Sequence, residues 1–102
     1  VMETDAIVGQ VLDAIEKSDV AGNTLVIFTS DNGCAHYIGT SAMEAKGHYA
    51  SGPLRGYKSD AWEGGHRVPF IVRWPGVVKA GSVSGQLVHQ ALGTRLVPNQ
   101  SM

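Results

Sequence analysis

Two neighbouring residues with oxygen donors, Asp31 and Asn32, directly follow a short apolar run, residues 24–29, typical of a buried strand. In open α/β sheets, ligands bind beyond the carboxyl ends of strands. A carboxylate and an amide carbonyl are hard donors that suit Ca²⁺ or Mg²⁺. Asp-Asn-Gly is also ordinary turn chemistry, and spacing alone favours the turn. The pattern therefore raises a divalent metal site as a hypothesis without deciding it.

Cationic side chains occur in the glycine-rich stretches that follow. Lys58 stands in Gly-Tyr-Lys-Ser-Asp, where a lysine can hold an oxyanion as a point charge, although a solvated surface lysine is the commoner case. Arg67 follows Gly-Gly-His and can bind an anion or hold the glycine-rich loops through their carbonyl groups. We assign Lys58 and Arg67 as candidate catalytic cations, with Lys58 also as a substrate-binding residue.

Three histidines, His36, His48 and His66, lie in irregular segments near the proposed site. Imidazole ligands would shift the metal preference from Ca²⁺ toward Zn²⁺ or Mn²⁺. Their spacing matches no compact zinc motif, and for each one a solvated or structural role is commoner. We assign His48 and His66 as candidate metal ligands and His36 as a candidate substrate-binding residue.

The elements that must position these residues follow from hydrophobic periodicity. A helical stripe near the N-terminus predicts one long helix. Residues 24–29 and 68–74 read as strands, the first buried on both faces as in a parallel sheet, and a short strand is predicted at residues 86–88. Residues 34–57 show no period and predict a long loop like those of active sites, followed by one helical turn at residues 59–63. The expected fold is a single α/β domain over residues 1–102 with a small partial sheet of parallel strands.

Composition excludes some partners and suggests others. The chain has 102 residues and a formal net charge of −1, without a basic run or a long apolar stretch, so we expect neither nucleic acid nor membrane as a partner. The first residues lack the features of a signal peptide, which predicts a cytoplasmic location for the sequence as written. Two or three strands and one helix cannot cover both faces of a sheet. We therefore expect a homodimer or higher homo-oligomer, or a piece of something larger.

The combination of these segments, in this order, resembles the sulfatase family of the alkaline phosphatase superfamily over residues 2–90. The helix resembles the one that precedes the family's second metal-binding strand, and residues 23–33 resemble that strand. The family signature is matched by Gly-Pro-Leu-Arg-Gly-Tyr-Lys at residues 52–58, Trp-Glu-Gly-Gly-His-Arg-Val-Pro-Phe at residues 62–70 and Trp-Pro-Gly at residues 74–76.

The resemblance implies roles for individual residues. Asp31 and Asn32 match Ca²⁺ ligands, and Lys58 matches a lysine that contacts the substrate sulfate. Glu63 and Arg67 match residues that shape the site. These matches overturn the preference for a turn at Asp31 and for a solvated lysine at Lys58.

Other family features are not matched. The family's nucleophile is a formylglycine, made from Cys or Ser in a Cys/Ser-x-Pro/Ala-x-Arg motif. The only cysteine, Cys34, begins Cys-Ala-His-Tyr-Ile, and we interpret the chain as a truncated fragment without that motif. The family's N-terminal aspartate pair and its upstream His and Lys groups are not matched either. Residues 91–102 form a divergent tail.

Three functions follow from this reading. The favoured one is a metal-dependent hydrolase that cleaves sulfate esters or phosphodiesters through a metal-activated water. The second is a catalytically inert sulfatase fragment that keeps part of the metal and sulfate site. The third is an interaction module that uses exposed strand edges, for which no specific residue argues.

Overall fold

The structure, a computed structural model, describes residues 2–88. Its longest element is helix α1, Met2–Glu16, as the apolar periodicity predicts. Two acidic residues in its first turn lie at the positive end of the helix dipole. Val8 and Leu12 of α1 line an apolar groove of about 540 Å³, whose opposite wall is formed by strand residues. An ion pair of 3.5 Å between Glu16 and Arg73 joins the end of α1 to the sheet.

The sheet has two strands, β1 (Val26–Thr29) and β2 (Phe70–Arg73), and both lie within the predicted segments. The strands pair antiparallel, with Val26 opposite Arg73 and Thr29 opposite Phe70. The predicted parallel arrangement is therefore wrong. An apolar run indicates burial but carries no information on strand direction, which here is set by how residues 30–69 lead the chain back.

The sheet does not bury its apolar side chains within the described part of the chain. Ile27, Phe28 and Ile71 are all exposed, Ile71 by 59%. No apolar side chain among residues 2–88 is buried, so the prediction that β1 is covered on both faces is wrong for these residues. The buried positions are Thr40, Gly64 and Gly65, all in or beside the loops that join the strands.

Those loops carry more structure than the sequence predicts. Residues 34–57 contain a 3₁₀ helix, His36–Ile38, and a short helix α2, Thr40–Glu44. The helical turn predicted at residues 59–63 is found slightly later as α3, Glu63–His66. The strand predicted at residues 86–88 is not formed. The divergent tail, residues 91–102, lies outside the described residues.

A further 3₁₀ turn, Ala21–Asn23, leads from the end of α1 into β1. Within residues 2–88, helices are too short or too polar to span a membrane.

Candidate active site

The exit of β1 is held against α3 by direct backbone contact. The Gly33 N–H donates to the Gly65 carbonyl oxygen at 2.9 Å. A Cβ placed on Gly33 would lie 1.8 Å from the Gly64 carbonyl oxygen, where no side chain fits. Glycine is required here by the close approach of two backbone segments. The contact fixes the residues just before Gly33 relative to the Glu-Gly-Gly turn.

The loop that carries Lys58 is tied to both of these segments. The Lys58 N–H donates to the Cys34 carbonyl oxygen at 2.8 Å, and the Gly64 N–H donates to the Arg55 carbonyl oxygen at 2.7 Å. A Cβ on Gly64 would lie 2.1 Å from the Gly56 carbonyl oxygen, so this approach also depends on glycine. The β1 exit, the loop and α3 therefore form one backbone-bonded unit, which we call the glycine lock.

The glycine lock borders an open cleft of about 420 Å³. Asn32 and Arg67, two of the predicted site residues, line it. Asp31 is exposed and is not among the lining residues, although both of its sequence neighbours are. The remaining lining residues are small or apolar: Ser30, Gly33, Cys34, Ala50, Ser51, Gly52, Leu54, Gly64, Val68 and Pro69.

The chemistry of Asp31 and Asn32 fits part of a metal site. The Asn32 Nδ2 donates to the Gly33 carbonyl oxygen at 3.0 Å, which leaves Oδ1 as an acceptor. The Asp31 carboxylate makes no hydrogen bond or ion pair with any of residues 2–88. Both side chains thus offer oxygen atoms to a cation. Because Ca²⁺ takes about six to eight oxygen ligands, they account for only a minority of a shell.

The two predicted cations differ in their surroundings. The Lys58 side chain is exposed, and no hydrogen bond or ion pair engages its ammonium group within residues 2–88. The Arg67 Nη1 donates to Glu63 Oε2 at 2.8 Å, and both side chains are more than half exposed. This pair spans one turn of α3, so it orients the guanidinium beside the cleft without removing its charge.

The three histidines are not gathered around Asp31 and Asn32. His36 packs edge-on against Tyr57, with ring centroids 4.8 Å apart. His48 and His66 are exposed, and neither lines the cleft. Among the described residues, no three His, Cys, Asp or Glu side chains lie close enough to share a metal ion. The assignment of His48 and His66 as metal ligands and of His36 as a substrate-binding residue stays a prediction.

A hydrogen bond that the sequence does not reveal lies beside Lys58. The Tyr57 hydroxyl donates to the Glu44 carboxylate, which joins the loop to α2. This bond raises the pKa of the Tyr57 phenol above its ordinary value, and the nearby negative charges of Glu44 and Asp60 act in the same direction. The phenol is therefore held as a neutral donor. Thirteen positions separate the two residues, so no local pattern could have paired them.

Ser51 was also missed among the cleft residues. Residues 51–55 read Ser-Gly-Pro-Leu-Arg, which has the residue types of the family's Ser-x-Pro-x-Arg motif. The search for that motif around Cys34 does not reach these residues. The Ser51 hydroxyl donates to the Gly56 carbonyl oxygen at 3.2 Å, and the Arg55 guanidinium lies 3.7 Å from the centre of a Trp62 ring. Both side chains thus serve to shape the loop, and we do not assign Ser51 as a nucleophile.

Comparison with known proteins agrees with the signature segments. The sulfatase family model matches residues 1–96. Rat steryl-sulfatase is 47% identical over 81 residues, which cover 79% of this chain and 14% of that protein. Human N-acetylgalactosamine-6-sulfatase is 45% identical over 87 residues, covering 85% of this chain and 16% of that protein. A bacterial relative, the N-acetylgalactosamine-6-O-sulfatase of Bacteroides thetaiotaomicron, is 38% identical over 82 residues, covering 78% and 16%.

No solved structure gives a significant match. The aligned part of the chain spans only 14–16% of the length of these curated relatives. The family match nevertheless covers nearly the whole sequence and includes every segment of the glycine lock. This chain belongs to the sulfatase family.

Proposed function

We propose that this chain supplies part of the active site of a sulfate-ester hydrolase, with Asp31 and Asn32 as metal ligands and Lys58 and Arg67 as the groups that bind the sulfate. The glycine lock carries the proposal. It bonds the β1 exit, the Lys58 loop and α3 to one another around one cleft. Three segments that the sequence separates are thus bonded together through their backbones. Asn32 and Arg67 line the cleft, whereas Asp31 and Lys58 do not.

Metal binding would fall to the β1 exit. Asp31 and the Asn32 Oδ1 offer hard oxygen donors, which favours Ca²⁺, and the rest of the shell must come from other groups. When bound, the ion supplies Lewis-acid chemistry that polarises the ester S–O bond and activates water for attack. Zn²⁺ or Mn²⁺ becomes the better candidate only if histidines contribute.

Anion binding would fall to the two cations. Lys58 holds the sulfate oxygens as a point charge, because its ammonium group has no competing partner within residues 2–88. Arg67 keeps donors besides the one it gives to Glu63, since a guanidinium carries five N–H groups. Arg67 lines the cleft, and its positive charge would stabilise the charge that develops on the ester oxygens during cleavage.

Hydrolysis assays on the metal-stripped chain test the proposal. A chromogenic aryl sulfate and a matching phosphodiester are supplied in turn, with Ca²⁺, Mg²⁺, Mn²⁺ or Zn²⁺ added back separately. We expect sulfate-ester cleavage to require the metal and to be lost in Asp31→Ala. Asp19→Ala is the matched control, because Asp19 is also an exposed aspartate but lies in the turn that follows α1.

Binding measurements show whether a chain without turnover still binds the metal ion or sulfate. Calorimetric titration with Ca²⁺ alone and with inorganic sulfate follows each half of the site without turnover. We expect Lys58→Ala to weaken sulfate binding and Lys79→Ala to leave it unchanged, because Lys79 is an exposed lysine that follows β2 and does not line the cleft. Phosphodiester cleavage without sulfate-ester cleavage would shift the substrate class. Absence of both turnover and binding with every ion would leave the inert-fragment alternative.

A homo-oligomer remains a proposal that the exposed apolar surface supports. The groove between α1 and the sheet, with Phe28 and Ile71 on its wall, gives a second copy an apolar face to cover. Sedimentation velocity at several protein concentrations tests this. A single monomeric species at every concentration would exclude it.

A further inference from the structure

One side-chain cluster outside the cleft joins three segments of the chain. Tyr57, on the Lys58 loop, donates its hydroxyl hydrogen bond to Glu44 at the end of α2. The His36 ring, on the 3₁₀ helix, meets the Tyr57 ring edge-on at an interplanar angle of 79°. Tyr57, Glu44 and Lys58 are all outside the set of residues that line the cleft, so Tyr57 and Glu44 would act on sulfate by holding the loop that carries Lys58.

Lys58, the proposed sulfate-binding residue next to Tyr57, has a backbone that is fixed on both sides. Before it, the Tyr57 N–H donates to Asp60 Oδ2 at 2.9 Å, and the Asp60 N–H donates back to the Tyr57 carbonyl oxygen at 2.9 Å. After it, Ser59 has a φ of +78°, the only positive φ of a non-glycine residue in the described part of the chain. Such a conformation persists only where surrounding contacts hold it.

We propose that the hydrogen bond from Tyr57 to Glu44, with the His36 ring packed beside it, holds the Lys58 loop in the conformation that presents the lysine to sulfate. Tyr57 and Glu44 are then positioning residues. The inference rests on the proposed role of Lys58 as the sulfate-binding group. It assigns to α2, a segment for which the sequence suggests no function, the task of anchoring that loop.

The charges around the cluster favour the bond. The hydrogen bond to Glu44 raises the pKa of the Tyr57 phenol, and desolvation and the charges of Glu44 and Asp60 act in the same direction. A hydrogen bond from a neutral donor to a carboxylate is stronger than one between two neutral groups. The Lys58 N–H donates to the Cys34 carbonyl oxygen at 2.8 Å, so exchange of this amide reports how firmly the loop is held.

The test compares Tyr57→Phe with the chain itself by amide hydrogen exchange and by NMR titration with inorganic sulfate. The substitution removes only the hydroxyl. We expect the Lys58 amide to exchange roughly tenfold faster, the effect of losing a hydrogen bond to a charged group. Amides of the β1–β2 ladder should keep their rates, which separates a local effect from general destabilisation. Sulfate should bind several-fold more weakly.

Two further variants complete the design. Tyr37→Phe is the matched control, because Tyr37 lies on the 3₁₀ helix that carries His36, is 80% exposed, and makes no side-chain hydrogen bond or ring contact with residues 2–88. It should change neither measurement. Glu44→Gln keeps an acceptor oxygen but removes the charge, so its effect should be smaller than that of Tyr57→Phe. Glu44→Gln also provides the test if Tyr57→Phe does not fold.

The outcomes distinguish this inference from the proposed function. Unchanged exchange at Lys58 in both Tyr57→Phe and Glu44→Gln overturns the positioning role, whatever the sulfate affinity. Faster exchange with no sulfate binding by the unmodified chain supports the anchoring of the loop and refutes the role of Lys58 in sulfate binding. Faster exchange with weaker sulfate binding supports both.

Discussion

Replacing Gly33 by alanine should break the glycine lock. The new Cβ would lie 1.8 Å from the Gly64 carbonyl oxygen and 2.9 Å from its carbonyl carbon, both backbone atoms that cannot rotate away. Ordinary van der Waals contacts begin at 3.4 Å. The two segments must therefore separate by about 1.6 Å to bring the 1.8 Å contact to that distance. That movement breaks the hydrogen bond from the Gly33 N–H to the Gly65 carbonyl oxygen.

The loss of stability has two causes, the steric clash of the new Cβ and the broken hydrogen bond. Overpacking costs about 1–3 kcal/mol, and loss of the hydrogen bond to the carbonyl of the buried Gly65 costs about 1–2 kcal/mol more. We therefore expect a loss of about 2–5 kcal/mol in the free energy of unfolding. With a urea m-value of about 1 kcal/mol per M, the midpoint should fall by about 2 M or more. Tryptophan fluorescence, with Trp62 close to the lock, and circular dichroism follow the transition.

Gly9→Ala is the control, because it makes the same chemical change where there is room. Gly9 lies inside α1, and a Cβ there meets nothing within 4 Å. Alanine at position 9 should stabilise the helix by about 0.5–1 kcal/mol, so the two substitutions should change the free energy of unfolding in opposite directions. A loss under about 1 kcal/mol for Gly33→Ala would refute the claim that close backbone approach holds the site together.

Three further predictions concern single contacts near the cleft. Glu63→Gln removes the exposed ion pair with Arg67 and should cost less than about 0.5 kcal/mol in urea unfolding, while sulfate binding is kept or strengthened; a loss above about 1 kcal/mol would contradict this. The folded state raises the pKa of Tyr57 above its ordinary 10.0, so the contribution of this group to stability is complete below about pH 10 and falls as the pH rises further. When the free energy of unfolding is measured across alkaline pH, this fall should be smaller in Tyr57→Phe. Arg55→Ala should cost about 0.5–1 kcal/mol through the lost cation–π contact with Trp62, and an unchanged midpoint by fluorescence would show that the contact is not stabilising.

Family membership came from local sequence, because its signature consists of contiguous segments. Glycines at positions 33, 64 and 65 are visible in the sequence, but the reason for them is not. The structure shows that each lies where another backbone passes within van der Waals distance. A pattern of glycines predicts turns equally well, so the sequence could not tell close approach from turn geometry.

Part of the candidate site could be predicted from the sequence, and part could not. Asp31, Asn32 and Lys58 were predicted from motifs, and the structure ties their segments together by backbone hydrogen bonds. The partnership of Tyr57 with Glu44 could not be predicted, since it depends on how the loop folds back onto α2. The histidine assignments remain predictions.

Local sequence patterns were sufficient to predict the long N-terminal helix, the positions of the two strands and the family. These depend on periodicity and contiguous motifs, which act over a few residues. The antiparallel pairing of the strands, the helical turns within residues 34–57 and the contact of the loops through their glycines became visible in the three-dimensional structure. Those features depend on which distant segments come into contact, and backbone hydrogen bonds between them are available to almost any residue type.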